Sequence, residues 1–231
     1  MAHLILTRHG QSLWNAANRF TGWVDVPLNE RGRAKAMIAS CQLRDWVQVC
    51  FTSKLIRAIE TAIMILTECD EICDRKIPIL KHEATDLDWH GWDHYEGSTA
   101  EELPIFTNAA LDERYYGDLQ GLNKAATAAR YRADLVYEWR RSYDVRPPGG
   151  ESLADTQARV VPYFMSRILS HLVAGENALV VAHGNSLRTM IMKLENLSSE
   201  EVPGLELETA VPIVYDLDRT GQITNKLVLE K

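Results

Sequence analysis

Leu4-Ile5-Leu6-Thr7-Arg8-His9-Gly10-Gln11-Ser12-Leu13-Trp14-Asn15 sets the reading of this chain. The run begins as a short buried strand and breaks off into Arg, His, Gly and small polar side chains. In an open α/β sheet ligands collect at the carboxyl ends of strands, where the next helix offers unpaired N–H groups and the positive end of its dipole. A phosphate suits such a place. Neutral imidazole is also a nucleophile near physiological pH, and a neighbouring Arg can hold an anion in line with it. An ordinary surface Arg-His pair would read the same way.

Ala178-Leu179-Val180-Val181-Ala182-His183-Gly184-Asn185-Ser186 repeats the grammar. Two strands therefore end in His-Gly. Side by side in a parallel sheet they would turn both imidazoles into one crevice. Neither His lies on an apolar periodic face, so packing does not account for them.

Further runs add to this pattern: Phe20-Thr21-Gly22-Trp23, Thr52-Ser53-Lys54-Leu55-Ile56-Arg57-Ala58-Ile59-Glu60-Thr61, Leu111 to Gly117, Gly121-Leu122-Asn123-Lys124-Ala125 and Trp139-Arg140-Arg141-Ser142-Tyr143-Asp144. Together the motifs resemble the histidine phosphatase superfamily, and within it the cofactor-dependent phosphoglycerate mutases. The resemblance runs from about residue 3 to 217, with one interruption. It implies a three-layer α/β sandwich, its mostly parallel central sheet flanked by helices, with a helical and loop cap over the strand carboxyl ends. The implied activity is interconversion of 2-phosphoglycerate and 3-phosphoglycerate through a phosphohistidine, primed by 2,3-bisphosphoglycerate and needing no metal.

The same resemblance implies a division of labour. His9 would carry the phosphoryl group, with Arg8, Asn15, Arg57 and His183 sharing its charge and Glu113 moving the hydroxyl proton. Gly10, Gln11, Ser12, Thr21, Gly22, Arg114, Tyr116, Lys124, Gly184 and Asn185 would join the substrate-binding set. From the residues themselves, the adjacent Arg140 and Arg141 can fork onto a carboxylate and a phosphate of one small molecule. Burial of a carboxylate in a closed crevice predicts a raised pKa for Glu113. A phosphatase or bisphosphoglycerate-directed activity on the same site stays open beside this reading, as does a non-catalytic scaffold.

Composition sets the remaining bounds. With 231 residues, 46% of them hydrophobic, the chain can bury a full core, and residues 1–231 read as one domain. No run reaches the roughly 18 apolar residues of a membrane span, and no leader pattern precedes the first strand, so a cytoplasmic protein without membrane partners is expected. Cys41, Cys50, Cys69 and Cys73 read as small buried hydrophobes. The formal net charge is −7, yet residues 82–112 hold eight acidic side chains and no Lys or Arg. Elsewhere the signs balance, so an Arg-lined crevice can be positive inside an acidic molecule. Arg and aromatic residues interleave over residues 125–143, but no basic stripe exists elsewhere, which speaks against nucleic acid.

In order, a helix is expected over residues 29–46 with Ala34, Met37, Ile38 and Cys41 on its apolar face, and a strand over 47–51 whose end, Thr52-Ser53, caps the next helix. Another strand falls at 77–81. The acidic insertion 82–112 interrupts the resemblance and reads as a partly ordered, packed or dimer-facing excursion from the sheet edge; the implied assembly is a homodimer. Within it His90 and His94, near Asp88 and Asp93, have a metal-ligand spacing that Gly91 argues against. The resemblance implies that residues 113–150 form the substrate-binding cap segment. Ser152 and Asp155 look like a capping box, opening a long helix kinked at Pro162. Residues 212–217 give a last strand. The chain stops at Lys231, so little of the polar tail that covers the site in many family members is expected, and with it poorer exclusion of water from a phosphohistidine.

Overall fold

The computed structural model describes residues 1–43, 47–83 and 97–229. His90 and His94, with Asp88 and Asp93, lie outside the described residues. Seven strands form one sheet: β1 (Ala2–Arg8), β2 (Val49–Thr52), β3 (Ile77–His82), β4 (Glu102–Thr107), β5 (Ala178–Ala182), β6 (Pro212–Leu217) and β7 (Ile223–Val228). Their order is β3-β4-β2-β5-β1-β6-β7. β3 to β1 run parallel, and β6 and β7 are antiparallel additions. The helices are α1 (Leu13–Ala16), α2 (Glu30–Gln42), α3 (Ile56–Glu68), α4 (Lys124–Tyr131), α5 (Ala133–Arg141), α6 (Leu153–Tyr163), α7 (Leu169–Val173) and α8 (Gly184–Glu195).

Successive side chains of a strand point to opposite faces, and the central strands are buried on both. Leu4, Leu6, Val180 and Ala182 pack with Val160, Phe164, Ile168, Leu187 and Met190 from α6, α8 and the turn after α6. On the other face Ile5, Leu179 and Val181 meet Ala39 of α2 and Ala58, Ala62 and Ile65 of α3. Two helical layers thus enclose the sheet. Phe20, Leu119, Val136 and Trp139 make a third, smaller core under the cap.

Several expectations need correction. The acidic segment is not wholly an excursion, because its last part is β4, paired on both sides within the sheet. β7 follows β6, which was expected to be the last strand. The helix over 29–42 buries Gly32, Ala36, Ala39 and Ser40, whereas Met37 and Ile38 are exposed. Small residues let α2 approach closely: a Cβ on Gly32 would lie 2.2 Å from the Gln11 carbonyl, and one on Gly10 only 2.5 Å from that of Gly32. Cys41 is exposed too, although Cys50 and Cys73 are buried. α4 and α5 are separated at Arg132, which takes a φ of 75°.

Ser152 and Asp155 do form a reciprocal cap, the Asp155 amide donating to Ser152 Oγ and the Ser152 amide to Asp155 Oδ2. Pro162, which lacks an N–H, leads into a π turn over Phe164–Ile168 before α7. Among the described residues no helix is long and apolar enough to cross a membrane.

Candidate active site

The register of the sheet decides what meets at its carboxyl edge. Arg8 pairs with Ala182 and Thr52 with Val181, so the residues that follow, His9, His183 and Ser53, emerge from three adjacent strands. β4 runs parallel to β2 and delivers Asp112 and Glu113 to the same edge. The ring centroids of the two histidines are 4.9 Å apart.

Beside them lies a cavity of about 270 Å³ lined by Arg8, Arg19, Arg57, Lys124, Arg140, Arg141 and Arg188, with Glu113 and Glu206 as the acidic lining residues. Seven cations against two carboxylates make a strongly positive hollow in a chain of net charge −7, as distribution rather than total charge dictates. Asn15, Thr21, Gly22, Tyr116, Gly184 and Asn185 complete the wall used below. The anticipated Gly10, Gln11, Ser12 and Arg114 stand behind it. Gln11 Oε1 accepts from Asn29, Ser12 caps α1, and Arg114 donates to the Tyr116 hydroxyl and the Arg140 carbonyl.

His9 is buried, and its Nδ1 lies 2.6 Å from the Gly10 carbonyl. A carbonyl can only accept, so Nδ1 carries the proton and Nε2 keeps its lone pair. Burial, then Arg57 and Arg8, hold this imidazole well below its ordinary range, which keeps it neutral at pH 7. Arg57 is itself fixed by donating to the carbonyls of Gly22 and Val24.

His183 is likewise pushed down, by burial and then Arg57. Its Nε2 lies 2.7 Å from Ser53 Oγ, while its Nδ1 is buried and, among the described residues, has no hydrogen-bond partner. If the Ser53 hydroxyl donates to Nε2, Nδ1 carries the remaining hydrogen as a free donor. Arg8 Nε and Thr21 Oγ1 are two more buried polar atoms with no partner among the described residues. Groups of this kind are costly unless something fills the space beside them, and phosphoryl oxygens fit donors of this type.

Glu113 departs from expectation. Burial pushes its carboxyl up, but the Arg114 amide, Asn185 and the charges of Arg57 and Arg8 outweigh that, leaving it below the ordinary Glu value. Its Oε1 accepts from the Asn185 side chain at 2.9 Å and from the Asn185 amide in the first turn of α8 at 3.2 Å. Trp23 and Arg159 anchor its backbone carbonyl. Asp112, next to it, is pushed up to about 6, chiefly by burial.

Sequence reasoning did not find Ser53, Arg19, Arg188 or Glu206. Ser53 was anticipated as a helix cap, yet the cap position of α3 is Leu55, without a side-chain cap. No local pattern marks the others. Arg188 follows His183 by five residues, so a helical reading of α8 could have placed it near the crevice.

Comparison with known proteins agrees with this geometry. The family model of the histidine phosphatase superfamily (branch 1) matches residues 4–102 and 95–228. A relative from Gloeobacter violaceus, named 2,3-bisphosphoglycerate-dependent phosphoglycerate mutase 1, is 69% identical over 230 residues, covering 99% of each chain. A Gloeothece citriformis protein with the name 2,3-bisphosphoglycerate-dependent phosphoglycerate mutase is 63% identical, over 99% of this chain and 100% of that one. Among solved structures, Bacillus stearothermophilus YhfR superimposes with a TM-score of 0.73 at 23% identity, over 96% of this chain and 94% of that one. The alpha-ribazole phosphatase from Shigella flexneri gives 0.71 at 21%, over 99% and 96%; these two likenesses concern the fold alone. By the family match and the full-length identities, the chain belongs to the histidine phosphatase superfamily, among its 2,3-bisphosphoglycerate-dependent phosphoglycerate mutases.

Proposed function

We propose that this chain interconverts 2-phosphoglycerate and 3-phosphoglycerate, with His9 as the residue that carries the phosphoryl group. The observation that supports it most is a neutral imidazole whose Nε2 keeps its lone pair, set beside His183 and a cavity walled by seven cations. When bound, 2,3-bisphosphoglycerate supplies the phosphoryl group that primes His9.

With His9 phosphorylated, the ionised Glu113 takes the proton of the substrate's free hydroxyl as that oxygen attacks phosphorus and the N–P bond breaks. In the second half Nε2 of His9 attacks the other phosphoryl group, the P–O bond breaks, and Glu113 returns the proton to the leaving oxygen. A Glu held below its ordinary pKa is in the correct state to act first as base. Phosphoryl oxygens that draw on Arg8 and Arg57 also weaken the field that keeps the proton off Glu113, which eases the second half.

Arg8, Asn15, Arg57 and His183, through its Nδ1, share the charge on the transferring oxygens. Each fixed donor of this kind is worth about 3 kcal/mol. Thr21, Gly22, Gly184 and Asn185 line the same end. Tyr116, Lys124, Arg140 and Arg141 hold the carboxylate and the phosphate that is not reacting, while Gly10, Gln11, Ser12 and Arg114 support them from behind. No step in this scheme calls for a metal.

The same reading takes residues 1–231 as one domain with 113–150 as its cap, working as a cytoplasmic homodimer. The edge strand β3, with Ile77 and Leu80 exposed, gives sedimentation velocity a surface to test through charged substitutions. Trapping with labelled bisphosphoglycerate tests the chemistry. Acid-labile label should appear on His9 and chase into either monophosphate. A chain that isomerises at full rate without primer, or stays unlabelled, would refute the scheme.

A further inference from the structure

Behind the arginines of the cavity runs a short strap, residues 203–210, of which Glu206 reaches the lining and whose carbonyls at alternate positions accept from those arginines. Pro203 O accepts from Arg141 Nη1 at 3.2 Å, Leu205 O from Arg188 Nε at 2.7 Å and Leu207 O from Arg8 Nη1 at 2.8 Å. In the middle Glu206 sets its carboxylate 2.6 Å from Arg141 Nη2 and 3.9 Å from Arg188 Nη2. An acid is out of place in a hollow built for polyanions. Carbonyls alone could position these guanidiniums, and they already do.

The Glu206 side chain is 69% exposed, against 25% for Arg141 and 11% for Arg188. A second cavity, whose lining includes Arg141 and Glu206 themselves with Tyr137, Tyr143, Asp144 and Glu200, adjoins the pair on its other side. The exposed carboxylate thus has solvent-facing space beside it into which it can be displaced. Arg141 has a second anchor in the Pro203 carbonyl.

We propose that Glu206 is a displaceable counter-anion that sets how tightly the site holds the anionic end of the ligand remote from His9. It pairs with Arg141 when that end is empty and yields when a phosphate or carboxylate arrives, so every binding event carries the loss of one ion pair. The inference rests on Arg141 serving the non-reacting end of the ligand, as in the function proposed above. Its consequence is looser retention of multiply charged ligands, which favours exchange of monophosphates.

Exposed ion pairs couple weakly, so removing the competitor should tighten binding about two- to five-fold. The test measures the dissociation constant of inorganic pyrophosphate by calorimetry for the full chain, Glu206→Gln and Glu208→Gln, and KM and kcat for 3-phosphoglycerate in the same proteins. Glu206→Gln should lower both the pyrophosphate constant and KM by that factor, with a steeper salt dependence. Glu208→Gln, which removes the same charge two residues along the strap, should leave both near wild type. A Glu206→Gln protein that binds pyrophosphate no better, or worse, would show the carboxylate to be merely positioning the strap and would overturn the proposal. Equal tightening in Glu208→Gln would overturn it as well, by reducing the effect to net charge. Failure of the mutase reading is seen separately, as a wild-type protein that binds pyrophosphate but does not isomerise phosphoglycerate.

Discussion

The imidazoles of His9 and His183 face each other with ring centroids 4.9 Å apart and planes inclined at 59°. Both are buried, neutral rings, so they can approach without the repulsion that two imidazolium ions would suffer. Arg57, which acts on both, helps keep them neutral.

Ser53 is the residue that orients the second of these rings. Ser53→Ala removes the partner of His183 Nε2, freeing the ring to change tautomer and withdraw the Nδ1 donor. One hydrogen bond is worth about 1 kcal/mol, so kcat should fall up to about ten-fold while KM for phosphoglycerate holds. Nitrogen NMR of His183 should show the altered tautomer, and Ser53→Thr should restore much of the rate. An unchanged spectrum with the same loss of rate would make Ser53 a packing residue only.

Glu113→Gln keeps the shape and removes the proton carrier. General acid–base groups contribute about 10²- to 10⁴-fold, and a loss in that range is expected in phosphoglycerate turnover. Dephosphorylation of an aryl phosphate should suffer much less, because its leaving oxygen departs without a proton. Equal losses on both substrates would argue that Glu113 shapes the site rather than moves the proton.

Stability should fall on acidification from pH 7.5. His9 and His183 are held below 6.5 in the folded chain, so below that value the unfolded chain binds more protons. The stability they represent is present above 6.5 and drains away as pH drops toward the folded values. Each contributes a slope of at most about 1.4 kcal/mol per pH unit. Asp112 works in the opposite sense. Its carboxyl is raised from 3.8 to about 6, so its contribution is complete below the unfolded value and is lost as pH rises through about 6. Denaturant titrations between pH 7.5 and 6 read the two histidines against the smaller, opposing contribution of Asp112 as pH nears 6, and His183→Asn should flatten the curve there.

Gly32→Ala distinguishes helix propensity from backbone contact. Propensity alone favours Ala by about 1 kcal/mol. The new Cβ, however, would meet the Gln11 carbonyl at 2.2 Å, and overpacking of this kind costs about 1–3 kcal/mol. A lower denaturation midpoint is expected. Slower labelling of His9 should accompany it, since the displaced loop contains the Gly10 carbonyl that fixes the ring.

The sheet's centre was legible in the sequence because β1 and β5 are apolar on both faces and end abruptly in His-Gly. Strands covered by helices on both sides of a parallel sheet need such a pattern, and half-exposed strands do not. β4 was not legible, since Pro104 and its acidic flanks mask a strand that pairs on both sides. β7 was missed because it is a solvent-facing edge with little apolar alternation. The buried face of α2 was misjudged on separate grounds: close backbone approach selects Gly and Ala, so its larger apolar residues point outward. Within the site, the residues at strand ends could be read, while Ser53 looks locally like a cap. Arg19 and Glu206 reach the cavity only through tertiary folding. The direction of the Glu113 shift likewise needed the hydrogen bonds from Asn185 and Arg114, which no one-dimensional pattern contains.

β1 and β5 are neighbours at the middle of a seven-stranded sheet, with β3 and β7 as its margins. Local opening starts where backbone pairs are most accessible to solvent. On warming, amide exchange would therefore spread inward from the two borders. The histidine pair would be among the last features to come apart, so catalytic competence would outlive a considerable loss of peripheral order.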